Sequence, residues 1–399
     1  MSPERSFDED VAFLRRFTDV LVARNADGAA LAIVPAWQAR VATSVAGGGD
    51  RPGFGFLNDA RIASGVVDPQ INIFGGEDRI WIGPEGSRYS VYFDPGVPPT
   101  FAHWRVPPCI DTDPWDLVSG PKSGASSSAT TAFTFRRTAE VRNRAGTLYR
   151  LGFERTVRLL DRAETVRRFG PEAVTVSVVA YLTENRLTNL GRESFTEASG
   201  APSLWIIGMY KAGPRTVAAV PLRPACGGAA VPDGVTDDYF GRVPSDRLRI
   251  DPDAVFFRAD GGLRSKIGVG PARSLGRAAA YDPDRSALTI VNYDPPAASP
   301  PPPYVNSLWK DDVPPFAGDA INAYNDGPNE SGASFGAFFE LETSSPALFL
   351  SPGDSALHVH ATLHATGPAA ALDSLSHAAL GLSLARFTTA LSQPGSLPR

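Results

Sequence analysis

The sequence predicts an all-β protein, a large antiparallel sandwich with a helix at its N-terminal end and a short helix near its C-terminal end. Three observations carry that expectation. Glycine and proline are abundant, 38 and 36 of 399 residues, so the chain turns often and has little room for long helices. About seventeen short runs rich in β-branched and aromatic residues follow one another, several alternating apolar with polar positions as a half-buried strand does. No fixed-period repeat is visible, which argues against a propeller or solenoid and for a two-sheet sandwich.

In chain order, Phe7 to Val22 reads as a helix. Val11, Leu14, Phe17, Val20 and Leu21 fall near one face, and Asp8, Glu9 and Asp10 occupy the opening turn, where the helix dipole favours carboxylates. Asn25 to Gly28 end it. From Ala29 the period changes. Expected strands are AALAIVPA, ARVATSVA, FGFLN, RIWIGP, SRYSVYF, TAFTFRRTAEVR, YRLGFERTVRLL and VTVSVVAYLTEN, then SLWIIGMY, TVAAVPL, AVFFRAD, RSKIGVG, AAAYD, ALTIVNY, GAFFELETSS, ALFLSP and ALHVHATLH. The proline-rich stretch 294–304 is an expected extended loop, and KSGASSSATT, 122–131, a flexible surface turn. Near the end AALDSLSHAALGL sets Leu372, Leu375, Ala379 and Leu382 at helical spacing. The expected organisation is an N-terminal helix within 1–25 packed on one sandwich domain, 26–390, with a tail at 391–399.

Composition excludes several classes. Apolar residues make up 43% of the chain, as in a globular protein, and 38 Lys+Arg against 43 Asp+Glu leave a net charge of −5. With no basic stripe, a nucleic-acid partner is excluded. No run of about 18 apolar residues occurs and the start lacks an apolar h-region, so no membrane partner is expected. The chain as given reads as cytoplasmic, or as periplasmic or secreted if a leader was trimmed. Cys109 and Cys226 could pair, but two cysteines form no disulfide framework and fit no zinc spacing. A nucleophile elbow, a P-loop, a dinucleotide GxGxxG and an HExxH are all missing, so serine hydrolysis, nucleotide transfer and zincin proteolysis lose support. Neither a cofactor nor a metal is expected.

Two clusters gather unusual polar residues. In FGGEDRIWIGPEG, 74–86, the Gly75–Gly76 pair permits a tight bend, after which Glu77, Arg79 and Trp81 alternate onto one strand face. A carboxylate, a guanidinium and an indole together suit a sugar, whose ring stacks on the aromatic while hydroxyls bond the charges. In FFELETSSPALFLSPGDSALHVHATLH, Glu340 and Glu342 share one face, and His358, His360, Thr362 and His364 share another by the same period of two, offering acids and bases. Further polar runs, TDDYFGRVP, LRSKIG, YVNSLW and INAYNDGP, read as loops on a rigid scaffold. They place Asp238, Tyr239, Lys266, Asn306, Asn325 and Asp326 among the candidate binding residues, although Asn325, Asp326 and Gly327 equally suit a turn. Arg264 and Lys266 share a strand face, where they could meet an anion.

With those motifs in view, the sequence resembles the galactose-mutarotase-like superfamily of β-supersandwich proteins over about residues 7–385. The resemblance rests on FGGEDRIWIGPEG, VVAYLTENRLTNLGRESF followed by SLWIIGMY, DDYFGRVPSDRL, RSKIG, NAYNDGP and FFELETSSPALFLSPGDSALHVHATLH. It implies a sugar-binding arginine at Arg79 and a general base on the late glutamate strand, with Glu342 fitting best and Glu340 one pleat away. The implied chemistry is aldose 1-epimerase-like. A glutamate takes the anomeric proton, a histidine protonates the ring oxygen, and the opened sugar recloses on either face. The chain departs from this pattern by having no histidine between His103 and His358. The acid would then be His103 or one of His358, His360 and His364, or Asp238, Tyr239 or Lys266 in its place. The expected partner is a small-molecule or oligosaccharide carbohydrate. The expected function is anomeric acid–base chemistry; non-catalytic sugar binding, with Trp81, Trp104 or Trp309 lining the cleft, and glycoside hydrolysis or polysaccharide lysis on the same scaffold remain open.

Overall fold

The computed structural model describes residues 4–120, 131–225, 234–329 and 332–392. Among these residues nineteen strands form three antiparallel sheets. A small one contains β1 (Leu21–Arg24), β2 (Ala30–Val34) and β3 (Arg40–Val45). A six-stranded sheet runs β11 (Val235–Thr236), β14 (Ser265–Val269), β17 (Ile321–Asn325), β18 (Phe338–Ser344), β9 (Ser203–Lys211) and β4 (Arg79–Gly83). A ten-stranded sheet runs β12 (Leu248–Ile250), β13 (Ala254–Arg258), β10 (Val217–Pro221), β15 (Arg277–Asp282), β16 (Ala287–Tyr293), β19 (Ser355–Thr366), β8 (Ser177–Asn189), β7 (Leu148–Leu159), β6 (Ala132–Arg142) and β5 (Asp116–Ser119).

The two large sheets pack face to face, as period-two patterning requires. Ile267, Val269, Phe339 and Leu341 of the six-stranded sheet meet Phe257, Ala280 and Val291 of the ten-stranded one. The opposite face of the longer sheet would be left apolar by Phe256, Ala279, Leu288 and Leu363; Leu372 and Leu375 of a C-terminal helix (Ala369–Leu380) and Phe387 of the helix after it (Leu384–Thr389) cover it. The predicted C-terminal helix is therefore present, with a second short helix behind it.

The N-terminal helix is shorter than its sequence pattern suggested. α1 spans Phe7–Leu14, started by a capping box in which Ser6 accepts from the Glu9 amide and Glu9 accepts from that of Ser6. Leu21 to Arg24 pair instead with Ala30 to Ile33 across a turn in which the Asn25 side chain accepts from the Asp27 and Ala29 amides. Val20 and Leu21 fit a period of 3.6 and a period of two alike, and strand pairing decides between them.

Three expected strands are irregular: FGFLN contributes only isolated bridges, and SRYSVYF and ALFLSP form none of the strands. Conversely, INAYN, expected in a loop, is β17, an inner strand of the six-stranded sheet. The expected turn at 122–131, save Thr131, the end of the tail and the partner side of a Cys109–Cys226 pair lie outside the described residues. Among those described, no helix is long and apolar enough to cross a membrane.

Candidate functional site

The face of the six-stranded sheet turned away from the sandwich interior gathers the chemistry. Residues directly opposite one another on antiparallel strands point to the same side. Arg79 lies opposite Ile207, which lies opposite Glu342; Trp81 lies opposite Trp205; Glu340 lies between Met209 and Tyr324; and Lys266 lies opposite Tyr324. Loops close over this face with Glu85, Phe101, Trp104, Trp309 and Phe335, leaving a cavity of ≈ 80 Å³.

Its walls are indoles. Trp81 meets Trp205 edge-on with centroids 5.5 Å apart, and Trp104 lies 6.1 Å from Trp81 and 5.8 Å from Trp309. Into this apolar frame the sheet projects two ion pairs. Arg79 Nη2 donates to Glu340 Oε1 at 2.7 Å, with its guanidinium 4.4 Å from the Trp81 ring. Lys266 Nζ donates to Glu342 Oε2 at 2.9 Å and sits 4.7 Å from the Trp205 ring; Trp205 Nε1 donates to the same oxygen at 2.9 Å. At the rim, Arg264 stacks 4.7 Å from the Phe335 ring.

Burial sets the protonation. It pushes the Glu85 carboxyl up to about 7, with Lys266 opposing the rise and Glu342 adding to it. It also raises Glu340 well above the usual carboxylate range, against the pull of Arg79. For Lys266 burial disfavours the charge, but Glu342 and Glu85 outweigh it and keep the ammonium protonated. Two carboxyls that titrate near neutrality thus border one cavity beside two fixed cations. Several buried groups there have no hydrogen-bond partner among the described residues: Arg79 Nε and Nη1, Trp81 Nε1, Trp104 Nε1 and Glu342 Oε1. Unpartnered buried donors are costly, and a ligand that accepts hydrogen bonds satisfies them.

Of the residues singled out in the sequence, Arg79, Trp81, Glu340 and Lys266 line the cavity, as do Trp104 and Trp309. Glu342 lies one pleat on, wholly buried beneath Lys266 and Trp205. Tyr239 stands behind Lys266, 5.3 Å from its ammonium, and donates to Asp319.

The others lie apart. Glu77 does not share a face with Arg79, because β4 begins only at Arg79. The preceding bend, with Gly75 and Gly76 at φ 91° and 110°, turns Glu77 into the sandwich interior. There it accepts from Ser44 and Tyr181 and contacts His364. His360 and His358 also sit between the sheets, both bonded to the Thr343 hydroxyl, and burial pushes them down to about 4 and about 3, so both are neutral. His103 is on an exposed loop and bonds Thr100.

Asp238 pairs with Lys310 at the surface. Asn306 holds its own loop by accepting from the Leu308 amide, and Asn325, at the end of β17, holds the 261–263 turn by donating to the Leu263 carbonyl and accepting from the Gly261 amide. Asp326 accepts from the Phe335 and Gly336 amides and so positions the Phe335 rim.

Glu85, Trp205 and Tyr324 were missed. Trp205 and Tyr324 carry the right period within their strands, but nothing local says which face meets a cavity. Glu85 arrives from a loop two residues beyond β4.

Fold and site together define a large β-supersandwich with a tryptophan-walled, doubly ion-paired cavity on one sheet face. By sequence the chain belongs to DUF6786, a family of unknown function, whose pattern it matches over residues 5–391. No curated protein is significantly similar to it in sequence. Its fold is shared with the Slr1438 protein from Synechocystis sp. PCC 6803, at 12% identity and a TM-score of 0.53, covering 88% of this chain and 96% of that one. Also similar are a galactose mutarotase-like protein from Lactobacillus casei, at 12% identity and a TM-score of 0.48 over 87% and 100% of the two chains, and a galactose mutarotase related enzyme from Lactobacillus acidophilus, at 8% and 0.46 over 87% and 98%.

Proposed function

We propose that the tryptophan-walled cavity binds a sugar and carries out acid–base chemistry at its anomeric centre. The observation that carries this reading is the set of buried, unpartnered donors on Arg79, Trp81 and Trp104 beside two carboxyls, Glu85 and Glu340, whose protons come and go near neutral pH. Indole faces stack on the C–H side of a pyranose, while Arg79 and Lys266 take its hydroxyls. Glu340, rather than Glu342, is the glutamate that faces the substrate; Glu342 acts through Lys266, holding its ammonium in place.

Glu85 and Glu340 form the acid–base pair. One accepts the proton of the anomeric hydroxyl while the other protonates the ring oxygen. The C1–O5 bond breaks to the open-chain aldehyde, and reclosure on either face of the carbonyl returns both protons. No imidazole lines this cavity among the described residues, so the acid role falls to a carboxyl. The same observation favours, as the second reading, a sugar-binding protein without catalysis.

Two measurements on a panel of glucose, galactose and glucuronate test both. Calorimetry is expected to show saturable binding lost in Arg79→Met, and exchange NMR to show α/β interconversion above the solvent rate, lost in Glu340→Gln. Binding with background exchange supports the second reading, and no binding by any of the panel overturns both.

A further inference from the structure

A second cavity, of ≈ 350 Å³, lies on the other side of the six-stranded sheet, between it and the ten-stranded one. Phe339 and Tyr210 face it, alternating along their strands with Glu340 and Met209, which face the first cavity. The volume is within the range of about 300–1,000 Å³ typical of small-ligand sites. Its lining is largely apolar, from Phe54, Tyr210, Ala280 and Phe339.

The mouth is charged and already holds a carboxylate. Glu4 places one oxygen 2.5 Å from Arg285 Nη2 and the other 3.7 Å from Lys211 Nζ. Arg285 also pairs with Asp282 at 3.0 Å, and Lys211 donates to the Gly53 carbonyl at 2.7 Å, so both cations are held in place by groups other than Glu4. Arg51 stands at the same mouth, its side chain donating to the Ser177 hydroxyl at 3.4 Å. Without Glu4 the lining of the mouth would present three cations, Arg51, Lys211 and Arg285, against one carboxylate, Asp282, above an apolar chamber; Asp10 and Asp284 lie near Lys211 and Arg285 outside that lining. That arrangement is complementary to a molecule with a carboxylate head and a short hydrocarbon tail.

We propose that this cavity binds a small amphipathic carboxylate, its head replacing Glu4 between Arg285 and Lys211 and its tail lying against Phe54, Tyr210 and Phe339. Glu4 is then an internal competitor for the head-group position.

Calorimetry with sodium octanoate tests this, with octan-1-ol as the probe lacking the charge and acetate as the probe lacking the tail. Octanoate is expected to bind saturably and the other two at least tenfold more weakly. Glu4→Gln, at a half-exposed position, is expected to tighten octanoate binding severalfold, and Arg285→Gln to weaken it at least tenfold. Ala287→Phe, which fills the chamber without altering its charges, is expected to abolish binding. Octanol binding as tightly as octanoate, unchanged affinity in Glu4→Gln, or octanoate binding that survives Ala287→Phe would each overturn the proposal. Because the two cavities lie on opposite faces of one sheet, the sugar measurements stand or fall separately.

Discussion

Replacing Lys266 by methionine keeps an unbranched side chain one atom shorter and removes the charge. In the folded protein Glu342 is fully buried, its Oε2 accepts from Lys266 and from Trp205, and its Oε1 has no partner among the described residues. The variant therefore leaves a buried carboxylate with one indole donor. Stranding one member of a buried ion pair costs about 3–5 kcal/mol. Converting Glu342 to glutamine in the same background removes the uncompensated charge and keeps an acceptor for Trp205. What stays lost is the cation–π contact at 4.7 Å, worth about 1–2 kcal/mol in a desolvated setting. The double variant should thus recover about 2–3 kcal/mol of the single variant's loss.

Guanidinium unfolding at pH 7, followed by the fluorescence of the tryptophans that surround the pair, reads both values. A loss below about 1 kcal/mol in Lys266→Met, or a double variant no more stable than the single one, would refute a site built on desolvated, mutually dependent charges.

Glu85 gives a pH signature. Its folded pKa of about 7 exceeds the ordinary 4.5, so it contributes stability that is complete below about pH 4.5 and lost as the pH rises through 7, roughly 3 kcal/mol in all. Glu85→Gln should flatten that part of the stability profile; an unchanged slope would show that the group is not desolvated. Gly75→Ala should cost roughly 2–4 kcal/mol, because at φ 91° the new Cβ would lie 2.0 Å from the Phe56 carbonyl oxygen. Gly146→Ala, at φ 95° in open space, should cost only about 1 kcal/mol by the same unfolding assay. His360→Gln should leave anomer exchange untouched by NMR, since that ring lies between the sheets. A variant that folds and loses exchange would restore the histidine to the mechanism.

Local sequence determined much of this protein. Alternation along FFELETS and ALHVHATLH settles which side chains share a face, because successive Cβ atoms on a strand point to opposite sides whatever the sheet around them. The bend at Gly75–Gly76, the capping box of α1 and the helical spacing of Leu372 and Leu375 are equally local.

Alternation could not say which of the two faces meets solvent, a loop or the opposing sheet. His358, His360 and His364 were legible as a set, yet packing alone put them inside the sandwich, where burial keeps the first two neutral. Arg79 and Glu340 stand 261 residues apart and meet only because β4 and β18 flank β9. Glu85 becomes a group that titrates near neutrality only when other strands and loops bury it, Glu342 adding to the rise and Lys266 and Trp309 opposing it. Face sharing is a property of the backbone period, whereas pKa, pairing and access are properties of what the rest of the chain brings alongside, and these the tertiary structure decided.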